Sequence, residues 1–223
     1  MKKAIIYKEF LKTKWVLLCI VLVFAAYLGY LFLNISKSAE VNGLGSIWSY
    51  MIAKDSPLFE NFRLFPLLAG VVLAIAQFIP EASHKRIKLT LHLPYPQGKM
   101  IALMYGFGLL ALTVIYALSA CAIGAFMSGI VARELVWRII LTALVWFIAG
   151  YAGYLWTSAI CLEPTWKMRV LLLLLMAGVV GVCFLSPLAE SYNRFLPVLA
   201  VFVLLGQTLI YYVVSRFKEG LQD

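Results

Sequence analysis

Apolar residues gather in long runs separated by short polar stretches. The two-residue alternation of a half-buried strand is absent. Six runs reach the length at which about 20 apolar residues cross a bilayer as a helix. They lie at about 15–35, 64–83, 100–127, 135–160, 170–187 and 196–214. The pattern predicts an all-α, polytopic membrane protein of six transmembrane helices, built as a single transmembrane domain over residues 1–223. Pro66 and Pro80 sit near span ends, where a missing N–H costs least. The run at 15–35 is too long for the apolar core of a secretory signal and has no small-residue cleavage site after it, so it reads as a retained first helix.

Composition removes the soluble alternative. The chain is 64% hydrophobic and 13% charged, against about 45–50% and about 25% in soluble domains. So little polar surface could not cover a water-exposed fold. Cys19, Cys121, Cys161 and Cys183 form no CxxC or Cys/His pattern and read as small packing residues.

The formal charge of +9 marks topology rather than nucleic-acid binding, because the cations flank the spans. With the N-terminus inside, thirteen of the nineteen Lys and Arg fall on the inner side and six on the outer. The excess favours both ends in the cytoplasm (N-in, C-in), which an even number of spans satisfies. Trp15, Trp48, Trp137, Trp156 and Trp166 fall near the expected interfaces. Ala120, Gly124 and Ser128 recur at four-residue spacing, a pattern that lets helices approach closely.

Chemistry within the spans is sparse. No Asp, Glu, Lys or Arg stands in the middle of a run, which argues against an ion-driven transporter and against a voltage sensor. Gln77, Thr113, Thr142, Thr157 and Ser158 read as interhelical hydrogen-bonding groups. His84 and His92 have no metal-spaced partners, and no nucleophile motif or phosphate-binding loop occurs. No catalytic residue, metal ligand or cofactor site is expected in this chain.

Two inner-side segments stand out. In the head before Trp15, Ile6, Phe10 and Trp15 can share a face while Lys8 and Lys12 lie on others, which predicts a basic amphipathic helix lying on the membrane lipid. The alternative is an unstructured positive flank. In the loop between the second and third spans, Ile87, Leu91 and Pro94 share one face of a short helix, with Lys85, Lys88 and His92 on others. Pro94 and Pro96 stop it. Glu81, where the second span ends, either pairs with a cation across the hinge or simply closes the helix with a polar group.

These two segments resemble the permease subunits of type-2 ABC (ATP-binding cassette) transporters. Tyr7-Lys8-Glu9-Phe10-Leu11-Lys12 is similar to the interfacial elbow helix of that family. Glu81, the basic stretch through Lys88, the run Ile87 to Pro94 and then Lys99 are similar to its cytoplasmic coupling helix. The resemblance implies an exporter in a bacterial inner (plasma) membrane. It implies a second permease copy or paralogue, and two separate ABC ATPase subunits that carry the ATP and Mg. It assigns ATPase coupling to Glu81, Lys85, Ile87, Lys88, Leu91, Leu93 and Pro94. Family members often fold a re-entrant hairpin between the last two spans, and here the connection at 188–195 is too short for one unless the fifth span is itself broken near Ser186-Pro187. A non-transporting membrane scaffold is the rival expectation.

Overall fold

A computed structural model describes residues 2–43, 45, 48–49, 51, 60–83, 96–186, 188 and 191–219. All the regular structure among them is helical. The main helices are α1 (Lys2–Asn42), α2 (Leu64–Ser83), α3 (Gln97–Ser128), α4 (Arg133–Leu162), α5 (Trp166–Cys183) and α6 (Leu196–Glu219). A short 3-10 turn, Glu60–Arg63, leads into α2. Among the described residues six helices are long and apolar enough to cross a membrane. Large apolar side chains such as Leu22, Leu118 and Leu174 point outward from the bundle, as lipid-facing positions do.

The helices alternate in direction. Contacts between their ends bring both chain termini to one end of the bundle, called here the proximal end. Lys8 of α1 meets Glu81 at the end of α2, and the Tyr211 hydroxyl of α6 donates to the Gly98 carbonyl at the start of α3, 3.5 Å away. At the distal end the Phe32 and Phe126 rings stack with centroids 4.2 Å apart.

Helix α4 is the centre, packed by α2, α3, α5 and α6. Its small residues Ala149, Gly150, Ala152 and Gly153 are what permit this. A Cβ on Gly70 of α2 would run into the Gly150 carbonyl oxygen and lie 3.1 Å from the Tyr154 backbone nitrogen. Backbone therefore lies on backbone along the α2–α4 seam, the close approach that small residues allow in membrane bundles. In the distal half, Phe24, Tyr27, Phe62, Phe65, Tyr116 and Phe147 form a ring cluster across α1, α2, α3 and α4. The Tyr116 hydroxyl donates to the Pro66 carbonyl at 2.8 Å, satisfying its own buried polar end.

The head differs from its expected form. It is not a separate interfacial helix: Lys2–Asn42 is one unbroken helix of 41 residues. At 1.5 Å per residue it is about 62 Å long, roughly twice the hydrocarbon thickness. The first span therefore continues straight into the basic head. The physical reason is on its inner stripe, where Ile5, Glu9 and Thr13 are buried at four-residue intervals in line with Ile20, Phe24 and Leu28. Packing of that stripe keeps the head in register with the span. Helix α5 also ends earlier than the hydropathy suggests, at Cys183 rather than 187. There the Tyr192 hydroxyl donates to the Val182 carbonyl at 2.8 Å and accepts from the Ser186 N–H at 2.9 Å, closing the chain into a turn.

Candidate functional site

The proximal end of the bundle holds a buried polar network made by α1, α2, α3 and α4. Glu9 is fully buried, and its carboxylate lies 2.8 Å from the Lys12 ammonium one turn along α1. The Gln77 amide nitrogen donates twice, to Glu9 Oε2 at 2.9 Å and to the Met104 carbonyl of α3 at 2.8 Å. The Tyr154 hydroxyl of α4 donates to Gln77 Oε1 at 2.8 Å. Gly108 makes room for that ring, since a Cβ there would meet the Tyr154 hydroxyl and sit 2.8 Å from Gln77 Oε1.

One turn closer to the proximal end, Glu81 is buried in the last turn of α2. Its Oε1 takes the Lys8 ammonium at 2.8 Å and the Lys12 ammonium at 3.1 Å. Lys12 thus bridges the two carboxylates, and two cations balance two anions. Buried charge is tolerated only when paired and hydrogen-bonded in this way. Glu81 Oε2 has no hydrogen-bond partner among the described residues.

A third carboxylate is held in the same manner on the same end. Glu163, just past α4, is fully buried and lies 3.0 Å from an Arg216 guanidinium nitrogen of α6. The Thr165 hydroxyl donates to its Oε1 at 2.9 Å, and Arg169 Nε donates to its backbone carbonyl at 2.7 Å. The first and last helices are each pinned to the central helices by a cation from the terminal helix and a buried acid.

The residues expected to act are placed unevenly. Glu81 has the ionic partners one of its two expectations required, and those among the described residues come from α1. Lys8 and Lys12 serve this network, while Ile6, Phe10 and Trp15 are exposed on the outer side of α1. Lys85, Ile87, Lys88, Leu91, Leu93 and Pro94 lie outside the described residues. Of the polar span residues, Gln77 is the hub of the network, and Thr113 of α3 accepts from the Tyr151 hydroxyl of α4 at 2.8 Å. Thr157 reaches Met176 Sδ of α5 at 3.6 Å. Ser158 and Thr142 bond back to carbonyls of their own helix.

Glu9 and Glu163 escaped the sequence reading. Hydropathy treats Glu9 as one polar residue in a basic head. The signal that could find it is the spacing Ile5, Glu9, Thr13, which continues the buried stripe of the first span. No protein-family model matches the chain, and comparison with curated proteins and with solved structures found no match.

Replacing Tyr154 by Phe keeps the ring and removes the hydroxyl that is the donor to Gln77 Oε1 among the described residues, leaving a buried amide oxygen without that partner. We expect a loss of about 1–3 kcal/mol in unfolding free energy, measured by denaturant titration in detergent. A neutral result would mean that water reaches the site.

Proposed function

We propose that this chain is the permease subunit of an ATP-driven ABC transporter, an exporter working with a second permease copy or paralogue and two separate ATPase subunits. The observation that carries the proposal is the tie between Glu81 and the head of α1, at 2.8 and 3.1 Å. Glu81 stands two residues before the end of α2, immediately ahead of the segment 84–95 that resembles a coupling helix. A push received there would reach Glu81 and pass through Lys8 and Lys12 into α1. The close α2–α4 seam would carry the same displacement into the centre of the bundle. Buried ion pairs transmit such motion because stretching them exposes unpaired charge, which is costly.

In this proposal the basic proximal end faces the cytoplasm and the ATPases, which supply the ATP and Mg chemistry. The cell's inner membrane is the proposed location. The chain itself contributes docking, through Ile87, Leu91 and Leu93, and transmission, through Glu81.

The test is capture of a soluble ATPase by the tagged, detergent-solubilised protein. Ile87, Leu91 and Leu93 changed together to Asp should abolish capture, while Glu81→Gln should preserve capture and lower the transport-linked stimulation of ATP hydrolysis severalfold. Undiminished capture by the triple variant would sink the coupling role. Failure of the wild type to capture any ATPase would favour the non-transporting scaffold.

A further inference from the structure

The distal end carries a groove between the last turns of α3 and the first turns of α4, with a volume of about 600 Å³. One wall is a single stripe of α4, Arg133, Val136, Trp137 and Ile140, at the i, i+3, i+4, i+7 spacing that aligns side chains on one helix face. The facing wall is low because Gly124 and Ser128 stand there. Packing over Gly124 is not backbone on backbone: among the described residues the nearest atom to a Cβ there is Ile140 Cδ1 of α4 at 3.5 Å, ordinary side-chain contact. Among the described residues the groove is open, apolar along its length, and ends in a cation.

That cation is unengaged. Arg133 is exposed and makes no ion pair or hydrogen bond among the described residues, and the neighbouring Glu134 does not pair with it. Trp137, also exposed, lies one turn deeper along the stripe, an amphipathic ring of the kind found at headgroup level. A guanidinium presents several donors in a fork that matches phosphate oxygens. The groove between α1 and α2 makes the contrast. It holds about 380 Å³ and is lined by apolar residues such as Val16, Ile20 and Leu68. The cations on the same stripe of α1, Lys8 and Lys12, are already matched by Glu9 and Glu81.

We propose that the α3–α4 groove is a binding site for an anionic phospholipid, one acyl chain lying along Val136, Trp137 and Ile140 and the phosphate meeting Arg133. The site depends on membrane placement of the six helices and not on a role in transport. Its charge complement is one unpaired Arg at the end of an apolar channel, which selects an anionic amphiphile over a zwitterionic one.

The full-length protein is reconstituted in bilayers of phosphatidylcholine with a minority of phosphatidylglycerol, one or the other carrying brominated acyl chains. Quenching of Trp137 is read as the difference between wild type and Trp137→Phe. Phosphatidylglycerol should be enriched about fivefold at Trp137 over its share of the bilayer, the order expected for one surface cation. Arg133→Gln should bring the enrichment to unity, and Arg133→Lys should keep most of it. Gly124→Leu fills the groove where the wall has space, so helicity and elution volume should be unchanged while quenching by both lipids falls. Equal quenching by the two lipids in the wild type would overturn the proposal, as would an enrichment that survives in Arg133→Gln. Quenching by neither lipid, with elution as a dimer that Gly124→Leu dissociates, would overturn it in favour of a second copy.

Discussion

Replacing Lys12 by Met is expected to destabilise the folded chain by about 3–5 kcal/mol, read as a shift in the denaturant midpoint of the purified protein. Lys12 is the one cation that touches both Glu9 and Glu81, at 2.8 and 3.1 Å. Without it, among the described residues Glu9 keeps only the Gln77 amide and Glu81 keeps only Lys8. Both carboxylates stay buried, so the protein loses the attraction while still carrying the desolvation cost. Lys8→Met should cost less, because that side chain is about half exposed and water can screen the loss. Neutralising the acids should restore stability: the triple variant Lys12→Met, Glu9→Gln, Glu81→Gln is expected to recover most of the deficit. A loss below about 1 kcal/mol for Lys12→Met, the range of exposed ion pairs, would mean that the network is wet.

The second large effect belongs to Gly70. Gly70→Ala is expected to cost about 3 kcal/mol or more, at the upper end of core overpacking. The added methyl meets the Gly150 carbonyl oxygen, lies 3.0 Å from its carbonyl carbon and 3.1 Å from the Tyr154 nitrogen. All three are backbone atoms, so no side chain can turn away, and α2 and α4 must separate. Separation would also draw Gln77 away from Tyr154, four residues beyond Gly150 on the same helix. Gly178 provides the control. A Cβ there has nothing within 4 Å, so Gly178→Ala in α5 should stabilise by about 0.5–1 kcal/mol through helix propensity alone. The pair can be compared in one thermal-unfolding experiment. Equal effects would mean that the α2–α4 seam yields to a methyl group.

The charge network also bears on how the head of the chain is understood. A basic, partly apolar segment before a first span can lie along the membrane, and the exposed Ile6, Phe10 and Trp15 suit that role. The opposite side of the same helix decides otherwise. Ile5, Glu9 and Thr13 are buried against the bundle, and the Thr13 hydroxyl bonds back to the Glu9 carbonyl at 2.9 Å. Turning the head sideways would strip Glu9 from Gln77 and Lys8 and Lys12 from Glu81. The apolar outer face remains available to lipid while the helix stays straight.

Hydropathy was sufficient for the spans because length and apolarity are local properties, and each of the six runs predicted from 223 residues coincides with a helix. Helix ends were less legible where one side chain closes the turn, as Tyr192 does beyond Cys183. The candidate site was legible at Glu81, whose place at a span end is visible along the chain, and at Gln77, a lone amide within a span. Glu9 and Glu163 were not, since a carboxylate flanking a span has the same composition whether it faces water or Gln77. Small residues showed the same limit. Ala120, Gly124 and Ser128 have the spacing of a packing seam, yet Gly124 and Ser128 border an open groove, while the tight contact falls at Gly70 and Gly150.

That this chain is helical, that six of its segments can cross a membrane and where its cations gather could be read along the chain. Those features follow from the free energy of moving whole segments out of water, which sums over neighbours in the chain. Helix packing settled which acids are paired, which glycines touch and that Arg133 has no ionic partner among the described residues. These depend on the rotation of each helix about its own axis against its neighbours. Glu9, 68 residues from Gln77 along the chain, meets it only once α1 and α2 lie side by side.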